Sequence, residues 1–429
     1  MVTAIVIGCG ARGNVYATYA LENPNELTIV GCAEPDALKR QQFQTRHGLP
    51  TDMTFESWDP IAQKPKCADA VIICTRDADH CVPAIAFAKL GYHILLEKPM
   101  AISETDCREI VAAVKENNVM LCVCHVMRYT PYTQAIKSVV DSGILGQLCN
   151  VQHTEPVGFM HYAHSYLNGN WRRTDEATSI LLSKSCHDID WLMYVLGGRC
   201  EAVTSMGSLV HFTEKQQPKA AAGATRCTQC PIEKDCPYSA VGRYMGPLQK
   251  GWRGWPGVVV NPAIADASDI EEAGALMMES LEKGPYGRCV YHSDNDVMDN
   301  QHVLMRFEGG LLVNMSMIAQ TVRQCTRQTV FYGSMGQLDC DELAQTIVLK
   351  RFVSNGSWVE EQVPIVNNAP KTALSGHSGA DYALMSAFVA ALNSGGASKI
   401  LSDADATLAS HLLVFEIEKA RIASTIKNL

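Results

Sequence analysis

Apolar residues in the first third of the chain fall into short unbroken runs, at residues 3–7, 27–33, 70–75, 92–96 and 119–126. Runs of this length, rich in Val, Ile and Leu, predict strands buried on both faces. Between them, residues 14–21, 79–91 and 103–117 carry helical periodicity. The helix at 79–91 ends on a glycine of the C-cap kind, and the one at 103–117 opens on Ser103-x-x-Asp106, a start resembling a capping box. Strand–helix alternation of this kind predicts a parallel sheet covered on both sides.

The pattern changes after about residue 130. Residues 132–141 and 179–196 read as helices. Residues 146–153, 202–212, 302–307, 311–318, 329–332 and 345–352 read as strands, with Glu308-Gly309-Gly310 as a hairpin turn. Consecutive strands with short turns predict an open, mostly antiparallel sheet. Residues 403–426 read as one amphipathic helix. The expected fold is therefore an α/β domain with a parallel sheet at 1–127 and an α+β domain at 128–402, closed by a C-terminal helix at 403–429. The stretch 214–301 is rich in Gly, Pro and Cys and weak in periodicity, and reads as an ordered insertion in the second domain.

Composition narrows the function classes. The 429 residues carry a net charge of −9 and no basic block, which argues against nucleic acid as a partner. No apolar run reaches the length of a membrane span, and the N-terminus goes straight into a strand without a signal-peptide pattern. The 17 cysteines are an odd number, and several lie inside apolar runs, so buried thiols in a reducing compartment, the cytoplasm, are expected.

The first strand runs into Gly8-Cys9-Gly10-Ala11-Arg12-Gly13 and then a helix. In G-x-G-x-x-G the first glycine permits a tight turn, the second lets a pyrophosphate approach the backbone, and the third lets helix and strand pack. The second strand ends at Glu34, about 20 residues beyond Gly13, where a carboxylate accepts the ribose hydroxyls and repels a 2′-phosphate. NAD is expected over NADP, although Lys39 and Arg40 lie close by. Ligands of such sheets collect at the C-terminal strand ends. Those ends carry the glycine turn with Ala11 and Arg12, then Glu34, Thr75, Arg76 and His80, then Glu97-Lys98-Pro99, with Arg128 just beyond the last strand; all are candidates for cofactor binding. Lys98, restrained by the following proline, is placed to polarise a substrate hydroxyl. His187, in a helix also carrying Lys184 and Asp190, has the proton affinity to take a hydroxyl proton as hydride leaves. Tyr166, Trp171 and Arg172 form an aromatic and polar cluster suited to a polyhydroxylated ligand, and Lys184 joins the candidate substrate contacts. Gly376-His377 with Asp381 and Tyr382 is a second small-residue cluster that could face substrate or merely start a helix. Cys227-x-x-Cys230 and Cys236 have metal-ligand spacing. Cys289 is the candidate fourth ligand, with His292 or Cys186 as substitutes, for a structural zinc or an iron–sulfur cluster.

The glycine turn, Glu97-Lys98-Pro99 after the fifth strand and His187-x-x-Asp190 together resemble the Gfo/Idh/MocA family, that of glucose–fructose oxidoreductase and inositol dehydrogenase. The resemblance covers nearly the whole chain. It implies a Rossmann domain, an α+β domain whose open sheet makes a dimer or tetramer, and hydride transfer between a sugar or polyol carbon and NAD(P), with Lys98 and His187 handling the proton. One departure is plain: the family usually has an acid four residues before this histidine, and Ser183 stands there. Three functions follow as expectations: a sugar or polyol dehydrogenase; an NAD-dependent glycosidase working by transient oxidation, elimination and re-reduction; and a nucleotide-binding regulatory protein without catalysis, which Ser183 would favour.

Overall fold

The computed structural model describes residues 1–367, 374, 379–396 and 400–423. Strands β1 (Val2–Ile7), β2 (Leu27–Ala33), β3 (Thr54–Phe55), β4 (Ala70–Ile73), β5 (His93–Leu96) and β6 (Leu121–Val123) form one sheet in the order β3-β2-β1-β4-β5-β6. Every pairing in it is parallel. The apolar runs explain this arrangement: Ala70, Val71, Ile72 and Ile73 are each fully buried, which requires cover on both faces. Ser103 caps the helix Glu104–Glu116 by accepting from the Asp106 N–H at 3.1 Å.

The second sheet has eight strands: β7 (Leu148–Pro156), β8 (Cys200–Ser208), β9 (Asn300–Phe307), β10 (Leu312–Ile318), β11 (Gln328–Gly333), β12 (Gly336–Asp341), β13 (Thr346–Phe352) and β14 (Trp358–Gln362). Its order is β14-β13-β12-β11-β7-β10-β9-β8, antiparallel except for the parallel pair β7–β10. Burial alternates residue by residue along β9, so one face packs inward and the other is open. Gly309 and Gly310 both take positive φ in the expected turn between β9 and β10.

Four features differ from the sequence expectations. β12 and β14 carry too few apolar residues to stand out as runs; β14 is exposed along its whole length. The expected single helix at 179–196 breaks into Ile180–Ser183 and Cys186–Leu196, with Lys184 and Ser185 between them. The insertion contains two packed helices, Ala240–Gln249 and Ile270–Lys283, around Tyr244, Leu248, Ile264, Met277 and Leu281. The C-terminal helix Ala404–Ala423 is not simply amphipathic, since Thr407, Ser410 and His411 lie on its buried side.

The chain also returns to its first sheet after leaving it. Leu384, Met385, Phe388 and Val389 of the helix Ala380–Ser394 share one core with Val2, Val6, Tyr16 and Tyr19. A helix far beyond residue 127 thus packs on the first sheet. Gly376 and His377 lie outside the described residues.

Candidate active site at the carboxyl edge of the parallel sheet

The glycine turn is built by close packing on one side and left open on the other. Gly8 has φ +90°, and a Cβ there would lie 2.4 Å from the Cys74 carbonyl oxygen; one at Gly13 would lie 2.0 Å from the Gly8 oxygen. A Cβ at Gly10 would meet nothing within 4 Å. Gly10 is also the N-cap of the helix Ala11–Glu22, so no cap side chain accepts from the first-turn N–H groups. A helix N-terminus free of a side-chain cap, beside a backbone face that no atom fills, fits a diphosphate. Glu34 lies buried under the same turn, accepting from the Cys9 N–H at 2.8 Å and the Asp36 N–H at 3.0 Å. Arg40 donates to the Glu34 backbone carbonyl, so its guanidinium stands at the same strand end.

Arg12 ties this turn to the next strand ends. Its Nε donates to Glu97 Oε1 at 2.7 Å and its Nη2 to Asp381 Oδ1 at 2.6 Å. Tyr16 adds a 2.9 Å hydrogen bond to the same Glu97 oxygen. Burial pushes the Glu97 carboxyl upward, but Arg12 and Lys98 overcome it and hold the group below the usual carboxylate range. Glu97 is thereby an ionised brace, and its other oxygen fixes the Lys98 backbone N–H at 2.6 Å.

Lys98 reaches across to the second domain. Its Nζ donates to the Ser183 carbonyl at 2.7 Å. That carbonyl closes the short helix Ile180–Ser183, where the chain breaks before Cys186–Leu196. One turn further on, His187 is half-buried with an Nδ1 that has no protein partner. Burial first, then the charge of Lys98, holds the His187 imidazole well below its ordinary range, so it is neutral. His125 stands edge-on to it at 5.6 Å between ring centres, with Asp190 3.5 Å behind.

A second polar array lies near enough for the charge of Lys184 to act on His187. Lys184 Nζ donates to Cys325 Sγ at 2.9 Å, and His161 Nδ1 lies 3.1 Å from the same sulfur. Glu155, fully buried on β7, is 3.3 Å from Lys184 and 2.7 Å from Arg327. Against the desolvation that lowers it, Cys325 and Glu155 hold the Lys184 ammonium above its ordinary value, so it stays charged. Burial, then Lys184, keeps His161 neutral. Tyr166, on a π-helical turn from Ala163 to Asn168, closes the array with its ring 6.2 Å from that of His161.

The structure thus brings together the turn from Gly8 to Gly13, Glu34, Glu97, Lys98, Tyr166, Lys184 and His187. Other expected positions do other work. Arg128 is buried and forms a bidentate pair with Asp190 at 2.6 and 2.7 Å, so it braces the interior instead of facing a cofactor. Arg172 is spent on Asp294 at 2.8 Å and Glu176 at 2.7 Å. Trp171 donates its indole N–H to Asp77 at 2.8 Å and so joins the two domains. His80 holds the Pro99 carbonyl at 2.7 Å, a second-layer contact beneath Lys98. Thr75 bonds the Asp79 carbonyl, and Arg76 is exposed.

The expected four-cysteine metal site is not assembled. Cys227, Cys230, Cys236 and Cys289 are near enough to perturb one another electrostatically. Cys227 Sγ accepts from the Ala240 N–H at 3.4 Å, and Cys289 Sγ from Gln217 at 3.6 Å. Among the described residues, only Cys81, Asp106 and Glu109 bring three potential ligand atoms within 4.8 Å of one another, and that group is partly exposed. Cys325, Glu155 and Arg327 gave no sequence signal; Cys325 lies in a loop 141 residues beyond the Lys184 it contacts.

With this geometry in place, comparison with known proteins is decisive for the family. Residues 2–125 match the profile described as an oxidoreductase family with an NAD-binding Rossmann fold, and residues 137–421 match that family's C-terminal alpha/beta domain. The chain belongs to the Gfo/Idh/MocA oxidoreductase family. A Streptococcus pneumoniae oxidoreductase is 32% identical over 211 residues, 49% of this chain and 54% of that one. The 2,7-anhydro-N-acetylneuraminate hydratase of Mediterraneibacter gnavus is 29% identical over 150 residues, covering 33% of this chain and 37% of the hydratase. The chain thus matches about half or less of the length of these two curated relatives. Levoglucosan dehydrogenase, solved with NADH, shares the fold at a TM-score of 0.69 and 16% identity, with 98% of this chain and 97% of that chain covered. Among the described residues no helix is long and apolar enough to cross a membrane.

Proposed function

We propose that this Gfo/Idh/MocA protein is an NAD-dependent oxidoreductase acting on a CH–OH carbon of a sugar, polyol or glycoside. The observation that supports the reading is that the charge of Lys98 acts on the His187 imidazole while Glu97 and Arg12 link Lys98 to the glycine turn. A bound nicotinamide would supply the hydride acceptor. Lys98, whose Nζ donates to the Ser183 carbonyl, would orient and polarise the substrate hydroxyl. His187, neutral and with a free Nδ1, would take the hydroxyl proton as hydride leaves. Glu34 favours NAD over NADP, because its carboxylate would meet a 2′-phosphate with like charge. The open face of the eight-stranded sheet exposes Leu304, Leu312 and Tyr332, which supports a homo-oligomer built on that face.

A second reading is favoured by the Lys184–Cys325–His161 array. Simple alcohol oxidation needs one proton-handling centre, and this cleft carries two. A redox-neutral reaction, in which transient oxidation acidifies a neighbouring C–H and allows elimination, uses a second one. The two readings separate in one assay. Protein with NAD is incubated with a panel of sugars, polyols and glycosides, and accumulated NADH and released aglycone are followed together. The dehydrogenase reading expects NADH in proportion to oxidised product. Release of aglycone without net NADH supports the second reading, and neither signal from any member of the panel counts against both.

A further inference from the structure

We infer that Trp255 and Trp252 of the insertion form an outer subsite that stacks a second ring of the substrate, so that the substrate is a disaccharide or ring-bearing glycoside and not a free monosaccharide. The inference rests on the carbohydrate reading of the Lys98–His187 cleft and extends it outward.

The two indoles are exposed at 40% and 59%. Both are fixed in place despite that exposure. Trp252 Nε1 donates to the Trp255 backbone carbonyl at 2.7 Å, and the Trp252 ring lies so close over Gly254 that a Cβ there would fall 2.6 Å from Cζ2. Trp255 stands edge-on to His161 at 5.4 Å and to His164 at 5.3 Å between ring centres. Its indole N–H is not needed for either contact, and a large part of its surface faces outward.

The position of these rings argues for their occupant. His161 contacts Trp255 on one side and Cys325 on the other, and Cys325 contacts Lys184. Two side chains, His161 and Cys325, therefore link the aromatic wall to Lys184 in the cleft. A sugar is amphipathic in the matching sense: its hydroxyl edge suits Lys98, Lys184 and His187, and its C–H face suits an indole. Fixed, exposed aromatic surface continuous with a polar cleft marks a ligand groove. The insertion supplies this wall, which gives the added segment a role in choosing substrate length.

The test is ligand-observed saturation-transfer NMR and calorimetry on the NADH-loaded protein. The probes are matched pairs of methyl glycoside and disaccharide built on glucose, galactose, N-acetylglucosamine and glucuronic acid. For the sugar that binds, the disaccharide is expected to bind about tenfold more tightly than its methyl glycoside. That advantage should shrink to about twofold or less in Trp255→Ala and return in Trp255→Phe, with methyl glycoside affinity unchanged. Equal affinity of the two probes in the unaltered protein overturns the outer subsite alone. So does an equal loss of both in Trp255→Ala, or a change of oligomeric state in the variant, which would mean that a second copy of the chain covers the indoles. Failure of every probe to bind overturns the subsite together with the carbohydrate reading beneath it.

Discussion

Lys98 and Ser183 stand 85 residues apart in the sequence, yet the lysine ammonium donates a 2.7 Å hydrogen bond to the serine carbonyl. The bond joins the Glu97-Lys98-Pro99 strand end to the helix break of the other domain. It uses the backbone of residue 183 and not its side chain. The Ser183 hydroxyl itself turns back to the Ser179 carbonyl at 3.1 Å. A serine at this position therefore leaves the lysine anchored through the backbone, while His187 Nδ1 has no protein partner.

Replacing Lys98 by Met keeps the chain length and removes the charged donor. Turnover is expected to fall about 100- to 10,000-fold. NADH affinity, read by fluorescence titration, should stay within a few-fold, because the glycine turn and Glu34 are untouched. An equal loss of turnover and nucleotide affinity would contradict a role at the substrate hydroxyl.

Gly10→Ala and Gly13→Ala should part company. The added methyl at Gly10 enters open space, so thermal stability is expected to hold while NAD affinity drops. At Gly13 it would lie 2.0 Å from the Gly8 oxygen. Overpacking of that kind costs about 1–3 kcal/mol, and the melting temperature should fall. Scanning calorimetry with and without NAD reads both effects; a Gly10 variant with unchanged NAD affinity would count against the diphosphate cradle.

Glu34→Ala tests cofactor choice. Hydrogen bonds to a charged group are worth ~1.5–3 kcal/mol, so NAD affinity should weaken roughly tenfold or more. NADP should gain relative to NAD, since Arg40 remains at the same strand end. Isothermal titration with both nucleotides gives the ratio.

Asp190→Asn should be among the costlier single changes away from the chemistry. Asp190 is 1% exposed and neutralises Arg128, whose side chain is 5% exposed. Breaking a buried pair on one side costs ~3–5 kcal/mol, because the other charge remains buried. Urea unfolding measures it, and a cost below ~1 kcal/mol would mean that the pair is solvated.

Acid should weaken the protein well before its carboxylates titrate. Burial drives His125 and His164 down to about 3 and His411 to about 4. In the unfolded chain these imidazoles titrate near 6.5. Below that pH the unfolded state takes up protons that the folded state excludes, so stability is full above about 6.5 and falls as pH drops toward about 4. Melting temperatures measured across this window should decline steadily; a flat profile would contradict the burial of these rings.

Much of the first domain was legible because a strand buried on both faces needs an unbroken apolar run, as at Ala70–Ile73. The glycine turn was legible because Gly8 and Gly13 meet backbone that no side chain tolerates. The second domain was harder. β14 is exposed throughout, and hydrogen bonding to β13, not burial, makes it a strand. Arg128, just beyond the last strand of the first sheet, and Arg172, in the aromatic and polar cluster, had the right residue type, but carboxylates distant in sequence claim them. The cysteine spacing suits a metal clasp, but among the described residues Cys227, Cys230, Cys236 and Cys289 do not bring three sulfurs within 4.8 Å of one another. Cys325 carries no signal in the sequence because only tertiary folding sets it against Lys184 and His161.

The most direct test of the central claim is rapid mixing of the NAD-loaded protein with its active sugar or glycoside, following reduced nicotinamide in the first turnover. This reading detects hydride transfer whether NADH then accumulates or is consumed again. The unaltered protein should form reduced nicotinamide within one turnover, and Lys98→Met, loaded with NAD to the same extent, should form it at least about 100-fold more slowly. Nicotinamide reduction at the unaltered rate in Lys98→Met, or none in the unaltered protein while product forms, would contradict the account.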